Sequence, residues 1–316
     1  MTCVVCTLFE GEYHFGVAAL INSLYKNGFK GDCFIGIRGN LPPWAQHAKE
    51  NNLLNWKDAK TLPVENNIQL HFLPINNDFH LTNYKPNFML EIWEGPAKNA
   101  DGIIYFDPDI IIKINWNYFE SWIKYGVAIV HEIISNDMPP SHPKRKAWEE
   151  VIRKANMQVT NQLHSYINGG FCGVIKENKA FLDIWKTIFQ VGVENFGLTN
   201  NQWKHNHGLD HVFYAQDQDA LNITAMCSTV PISEMGPEAM DFIHGGYVMS
   251  HCVGSPKPWK RNIIKEFFKG RPLGFTDRLF WQNVDFPLKP YKSSFIKKKK
   301  MLITITAFFG RFYKKY

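Results

Sequence analysis

Cys3-Val4-Val5-Cys6-Thr7-Leu8-Phe9 is an almost unbroken apolar run, followed at once by Glu10-Gly11-Glu12-Tyr13. A short run without polar alternation is the mark of a strand covered on both faces, as in parallel sheets. Gly16, Val17, Leu20, Ile21 and Leu24 then recur at helical spacing until Gly28 stops the pattern. Similar strand signals occupy 33–37, 69–73, 102–106 and 127–130, with helices expected near 43–51, 87–93 and 116–124. Strands of this kind separated by helices predict an α/β fold: a mainly parallel sheet with helices on both faces. Beyond residue 143 the pattern is less regular. It predicts a basic helix over 144–156, a strand over 171–175 and helices over 178–191 and 208–222. From Pro231 onward Gly and Pro are frequent, so loops are expected until the C-terminal tail. No internal repeat is visible.

The 316 residues suffice for one large α/β domain, or one such domain with an appendage. With 45% apolar and 20% charged residues, wholesale disorder is excluded. The net charge of +6 is concentrated in residues 292–316, which hold eight Lys/Arg and no acid, leaving 27 basic against 29 acidic residues before them. That distribution argues against a surface that grips nucleic acid and for a local basic element aimed at something anionic. No apolar run approaches the roughly 20 residues of a membrane-spanning helix. The first residues lack the basic flank of a secretory signal. The six cysteines, at 3, 6, 33, 172, 227 and 252, lie mostly in apolar stretches, as reduced thiols of a cytoplasmic protein do. Cys3 and Cys6 would point to opposite faces of a strand, so no zinc site is expected there.

Ligands of open α/β sheets bind where strands end at their carboxyl edges. The loop after Phe9 carries two acids and one glycine, which speaks against a dinucleotide fold, a phosphate-cradling loop or a sugar-nucleotide pyrophosphorylase. The sharpest signal is Ile103-Ile104-Tyr105-Phe106-Asp107-Pro108-Asp109-Ile110-Ile111-Ile112. In extended backbone, carboxylates at i and i+2 share a side, and Pro108 biases Asp107 away from helix. Two buried carboxylates this close repel unless a cation lies between them, and oxygen ligands select Mg²⁺ or Mn²⁺. The same tripeptide also reads as a polar turn between two strands. A second constellation, Tyr247-Val248-Met249-Ser250-His251-Cys252-Val253-Gly254-Ser255-Pro256-Lys257-Pro258-Trp259, ends a strand at a histidine and sets a lysine six residues on. It could offer an imidazole to the metal and an ammonium to a phosphate. Alone, a histidine such as His251 is more often a satisfied core residue than a ligand, and a lysine such as Lys257 more often a solvated surface charge; the pairing with an acidic metal site shifts that balance.

Asp107-Pro108-Asp109, Asn168-Gly169-Gly170, Asp217-Gln218-Asp219 and His-x-x-Gly-x-x-Lys-Pro-Trp over 251–259 occur in this order. Together they resemble the retaining GT-A glycosyltransferases that include glycogenin and the bacterial lipopolysaccharide galactosyltransferases, across roughly residues 3–259. The resemblance implies a GT-A fold with Mn²⁺ or Mg²⁺ bridging the pyrophosphate of a UDP-sugar. Asp107, Asp109 and His251 would be the metal ligands, and Gly254 and Lys257 would contact the phosphates. Asn168, Gly169, Asp217 and Gln218 would line the donor sugar. Glu10 would hydrogen-bond the uracil and Tyr13 stack on it. Glu10 stands where the family usually has Asp, and Lys85 is the only counterpart of the family's arginine ahead of Asp-x-Asp, at an altered distance. His244 is a competing imidazole for the third ligand position. Gln218 would support front-face attack electrostatically, because an amide is a poor nucleophile.

In the tail, Lys297-Lys298-Lys299-Lys300 precede Met301, Leu302, Ile305, Phe308, Phe309, Phe312 and Tyr316, which at 100° per residue share one arc. That is the pattern of a helix on an anionic membrane surface. A helix docked on the protein body, or a strand over 303–306, would use the same residues. The expected organisation is therefore a catalytic domain over 1–260 and an extension over 261–316 whose residues 292–316 face the membrane. The function expected is a metal-dependent retaining hexosyltransferase, using UDP-galactose or UDP-glucose and a glycolipid or lipopolysaccharide acceptor at the cytoplasmic face. The alternatives are an inactive GT-A-like domain that binds nucleotide sugar or glycolipid, and a membrane-surface protein whose Asp107 and Asp109 only form a turn.

Overall fold

The computed structural model describes residues 1–133, 137–204, 211–243, 245–271 and 273–312. The chain opens with β1 (Cys3–Glu10), α1 (His14–Lys26), β2 (Gly31–Arg38), β3 (Lys49–Glu50), β4 (Lys60–Val64), β5 (Ile68–Pro74) and α2 (Lys85–Glu94). It continues through β6 (Gly102–Phe106), β7 (Ile110–Ile112), α3 (Asn117–Trp122), β8 (Val127–Val130), α4 (Pro143–Lys154), β9 (Phe171–Ile175), α5 (Ala180–Asn195) and α6 (Gln216–Cys227). Then come β10 (Ile232–Met235), β11 (Met249–His251), α7 (Ile263–Phe268), α8 (Phe275–Gln282) and α9 (Ser293–Phe309).

Among the described residues nine strands form one sheet, in the order β10-β8-β9-β6-β1-β2-β5-β4-β3. Parallel pairing joins β6, β1, β2 and β5, and also β10 and β8. Because β9 is antiparallel to both β6 and β8, the residues before it, Asn168 to Gly170, lie at the edge where β6 and β8 end. A separate antiparallel ribbon pairs β7 with β11.

Alternate residues of β1 enter two cores. Cys6 and Leu8 join Phe34, Phe88, Trp148 and Trp185 on one face of the sheet. Cys3, Val5 and Phe9 join Val17, Ile21, Phe106 and Phe119 on the other, so Cys3 and Cys6 point apart as expected of a strand. All six cysteines are free and buried. A third cluster sets Ala19, Ile111 and Cys252 against Ile263, Phe280, Trp281, Ile296 and Ile303, packing α7, α8 and α9 on the body.

Three expectations are corrected. The helix over 43–51 is one 3₁₀ turn, Pro43–Ala45, with Ala45 its only buried residue. No apolar stripe follows to extend it, and β3 instead edges β4. The helix over 208–222 is α6; residues 205–210 lie outside the described residues and 211–215 are not helical. Asp217 and Asp219 occupy the first turn of α6, where the positive helix end favours acids. Asp219 also accepts hydrogen bonds from the Tyr214 and Ala215 amides, at 2.6 and 3.0 Å. Finally, the stretch after Pro231 contains β10, β11, α7 and α8, elements of three to eight residues too short for periodicity to betray.

Candidate functional site

β6 ends at Phe106, and the Asp107 amide donates to the Gly170 carbonyl at 2.7 Å. The Ile110 amide then donates back to the Asp107 carbonyl at 3.1 Å, so Asp107 to Ile110 is a turn and not the extended stretch expected. The two carboxylates meet for a different reason. The β7–β11 register sets His251 opposite Ile110, and the Cys252 amide donates to the Asp109 carbonyl at 3.0 Å. His251 Nε2 thereby comes 3.3 Å from Asp109 Oδ1 and 3.8 Å from Asp107 Oδ2. One ligand atom from each residue lies within 4.8 Å of the others. Two glycines permit the approach: a Cβ on Gly16 would run into the Pro108 carbonyl, and one on Gly170 would lie 2.5 Å from His251 Cε1.

Two lysines compensate the acids. Lys257 Nζ is 2.5 Å from Asp109 Oδ2 and 3.0 Å from the Cys252 carbonyl, over the Tyr13 ring at 5.7 Å. Burial alone would raise the Asp109 carboxyl, but His251 and Lys257 outweigh it and hold it well below the usual carboxylate range. Lys85 is 1% exposed and reaches the Gly169 carbonyl and Asp217 Oδ2, both at 2.8 Å, and Asp107 Oδ1 at 3.2 Å. Burial would lower its ammonium, yet Asp107 and Asp217 raise it above the ordinary lysine value. Burial pushes the Asp217 carboxyl up, against the pull of Lys85. The ammonium of Lys85 thus joins the Asp-Pro-Asp turn to the start of α6.

Asn168 is buried; its Oδ1 accepts from the Gly170 amide at 2.8 Å. Its Nδ2 donates to Glu132 Oε2 at 2.5 Å. The Gly169 amide donates to Gln218 Oε1 at 2.9 Å. Gly254 sits at φ +84, a backbone conformation that glycine tolerates best. Glu10, ending β1, pairs with Arg38 at 3.4 Å. Tyr13, 38% exposed, meets Trp259 edge to face at 5.4 Å. His244, the competing imidazole, lies outside the described residues. Sequence reasoning missed Glu132, Gly16 and the Tyr105 hydroxyl, which donates to Asp107 Oδ1 at 2.9 Å. Glu132 was findable: it follows β8 at the same carboxyl edge as Asp107 follows β6.

These residues suit a hard divalent cation. Two carboxylates and an imidazole converge, and His251 Nδ1 is buried without a partner among the described residues.

No protein-family model and no curated protein matches the sequence. Solved structures do. The bifunctional glycosyltransferase WbbM, in its apo form, is similar over 95% of this chain and 52% of its own, with 17% identity and a TM-score of 0.56. The galactosyltransferase LgtC, solved with donor and acceptor sugar analogues, is similar over 90% of this chain and 97% of its own, with 14% identity and a TM-score of 0.49. An active-site mutant of LgtC is similar over 87% and 93%, at 14% identity and 0.49. The chain spans about half the length of WbbM, with which it shares a fold at low identity. The chain therefore has the fold of WbbM, here a large, mostly parallel sheet flanked by helices, as the GT-A resemblance of the sequence implied.

Proposed function

We propose that the protein is a metal-dependent retaining glycosyltransferase, moving a hexose from UDP-galactose or UDP-glucose to a glycolipid or lipopolysaccharide-type acceptor. The observation that carries the reading is the meeting of Asp107, Asp109 and His251 beside Lys257 at the sheet's carboxyl edge. That WbbM is a glycosyltransferase lends it support.

Asp107, Asp109 and His251 would hold Mn²⁺ or Mg²⁺, which when bound supplies Lewis-acid stabilisation of the charge on a departing UDP. Asp107, Asp109 and Asp217 set three negative charges against the two of Lys85 and Lys257. A divalent ion would turn that balance positive, which suits a diphosphate. Lys257 and the backbone at Gly254 would then meet the phosphates, with no general acid needed for departure. Glu10 and Tyr13 would receive the uracil, and Asn168, Gly169 and Asp217 the donor sugar. Gln218, whose Oε1 is engaged by the Gly169 amide, would act as electrostatic support rather than nucleophile. Glu132 and Lys85 act on this set as positioning residues, through Asn168 and Asp217.

Residues 1–260 form the catalytic domain in this reading, and 261–316 an extension that holds the enzyme to the inner face of a membrane. No helix among the described residues is long and apolar enough to cross a bilayer. α9 docks through Ile296, Ile303 and Thr306 while Met301, Ile305, Phe308, Phe309 and Phe312 remain exposed, which favours attachment over spanning.

The test is UDP release from a panel of UDP-sugars, with Mn²⁺ or with EDTA, for wild type and Asp109→Asn. Release that needs the metal and is lost in the variant supports the site. Metal-independent release, or release unchanged by the substitution, refutes it, and binding without turnover on any acceptor supports the inactive alternative. Vesicle flotation with and without residues 292–316 tests the membrane assignment.

A further inference from the structure

α9 has two apolar sides. Ile296, Ile303 and Thr306 are buried against the body, whereas Met301, Ile305 and Phe308, on the opposite side at 100° per residue, are 57, 43 and 53% exposed, and Phe312, in the 3₁₀ turn Gly310–Phe312 that follows, is 75% exposed. The outward line, followed back to the start of the helix, reaches Ser294 and Lys298. There a groove of about 600 Å³ is lined by Pro290, Tyr291, Lys292, Ser294, Phe295 and Lys298. Its aromatic wall is a stack: Tyr291 lies flat on Phe15 at 4.6 Å and 1°, and Phe295 stacks on Tyr291 at 5.3 Å. The Tyr291 hydroxyl is buried without a hydrogen-bond partner among the described residues. No acid lines the groove, and neither Lys292 nor Lys298 has an ionic partner among the described residues.

Two lysines without an ionic partner share the groove with Tyr291 and Phe295, and Lys299 Nζ lies 5.3 Å over the Phe295 ring, a set that suits an anion carrying apolar substance with it. Continuity with the exposed stripe makes that anion part of an amphiphile, since a free anion would gain nothing from Met301, Ile305 and Phe308. We infer that this groove is a headgroup site for an acidic phospholipid, its phosphate held by Lys292 and Lys298 where the apolar side of α9 meets the bilayer. The inference rests on the proposal that the tail faces a membrane, and it goes further by naming one lipid-binding locus in place of diffuse charge.

The experiment uses the full-length protein and vesicles of phosphatidylcholine with and without phosphatidylglycerol. Three exposed-residue variants are compared: Lys292→Gln/Lys298→Gln in the groove, the charge-matched Lys297→Gln/Arg311→Gln outside it, and Phe308→Ala/Phe312→Ala on the stripe. The groove pair is expected to lose about tenfold more affinity for acidic vesicles than the charge-matched pair, which reports only general attraction. Equal losses overturn the headgroup site while leaving the membrane reading intact. Unchanged binding of the Phe308/Phe312 variant overturns the membrane reading itself. Soluble dihexanoyl phosphatidylglycerol should compete with the vesicles far better than inorganic phosphate. Equal competition would make the groove a free-phosphate site and overturn the lipid assignment.

Discussion

At the carboxyl edge of the sheet, Lys85 meets Asp217 across 132 residues of sequence and Lys257 meets Asp109 across 148. Along α9 the residues that act together follow one another at three to seven positions, as Ile296, Ile303 and Thr306 do. The first cluster is held by sheet register, a turn and close glycine contacts, and two of its three acidic charges are offset by lysines before any ligand arrives. The second is held by helical periodicity, and of its lysines at 292 and 297–300 only Lys300 has an ionic partner among the described residues, Asp285. Charge that is buried must be compensated within the fold, whereas charge in water can be left for a partner. Substitutions in the first region should therefore damage folding and chemistry together, and outward-facing ones in the second should change binding alone.

The largest effect is expected at Lys85. Lys85→Met leaves Asp107 and Asp217 without their buried counter-charge and should cost about 3–5 kcal/mol, read by chemical denaturation. A loss below 1 kcal/mol would mean that the lysine does not hold the cluster together. Next, Asp109→Asn should lower metal-dependent UDP release by about 10²–10³-fold, the usual loss when one element of transition-state charge stabilisation goes.

The same variant carries a pH signature. Because the folded Asp109 carboxyl is held below its unfolded value near about 3.9, its contribution to stability is complete above that value. It is then lost as pH falls toward the folded value. The melting-temperature gap between wild type and Asp109→Asn should accordingly be widest near neutrality and narrow below about pH 4. A gap that widens on acidification would reverse the sign of the argument.

Smaller effects belong to the tail. Ile303→Ala, on the docked side of α9, should cost about 2–3 kcal/mol, since it removes buried methyl groups packed near Trp281. Phe308→Ala, on the exposed side, should leave stability within about 0.5 kcal/mol. Equal costs for the two would erase the distinction between a docked and a free side of the helix.

Much of the sheet was legible in the residues. β6, β8 and β9 fall at 102–106, 127–130 and 171–175 as expected, because continuous apolar runs bounded by turns leave little choice of boundary. The convergence of residues 107, 109 and 251 was anticipated from motif order, but its physical cause was not. An i, i+2 rule for extended backbone suggested it, whereas a turn and the pairing of β7 with β11 achieve it. Non-local pairing of three-residue strands leaves no periodic trace. Glu132 could be sought at the carboxyl end of β8, but its pairing with Asn168 could not, since the reversed direction of β9 alone brings the two together. In the tail, periodicity marked an arc of which Met301, Ile305, Phe308, Phe309 and Phe312 are exposed, while Leu302 packs against the body and Tyr316 lies outside the described residues. It did not mark the docked face, because Ile296, Ile303 and Thr306 are too few and too mixed to announce one.

The buried thiols offer a reporter that needs no label built in. Cys6 and Cys33 lie within the sheet, and burial pushes the thiols of Cys3, Cys172 and Cys227 up to about 12. A closed molecule presents almost no thiolate to an alkylating reagent, so modification at each sulfur must wait for the chain around it to open. Mass spectrometry of timed alkylation would then rank local opening from β1 to α6. Cys252, one residue past His251, would report whether Mn²⁺ clamps the ribbon shut.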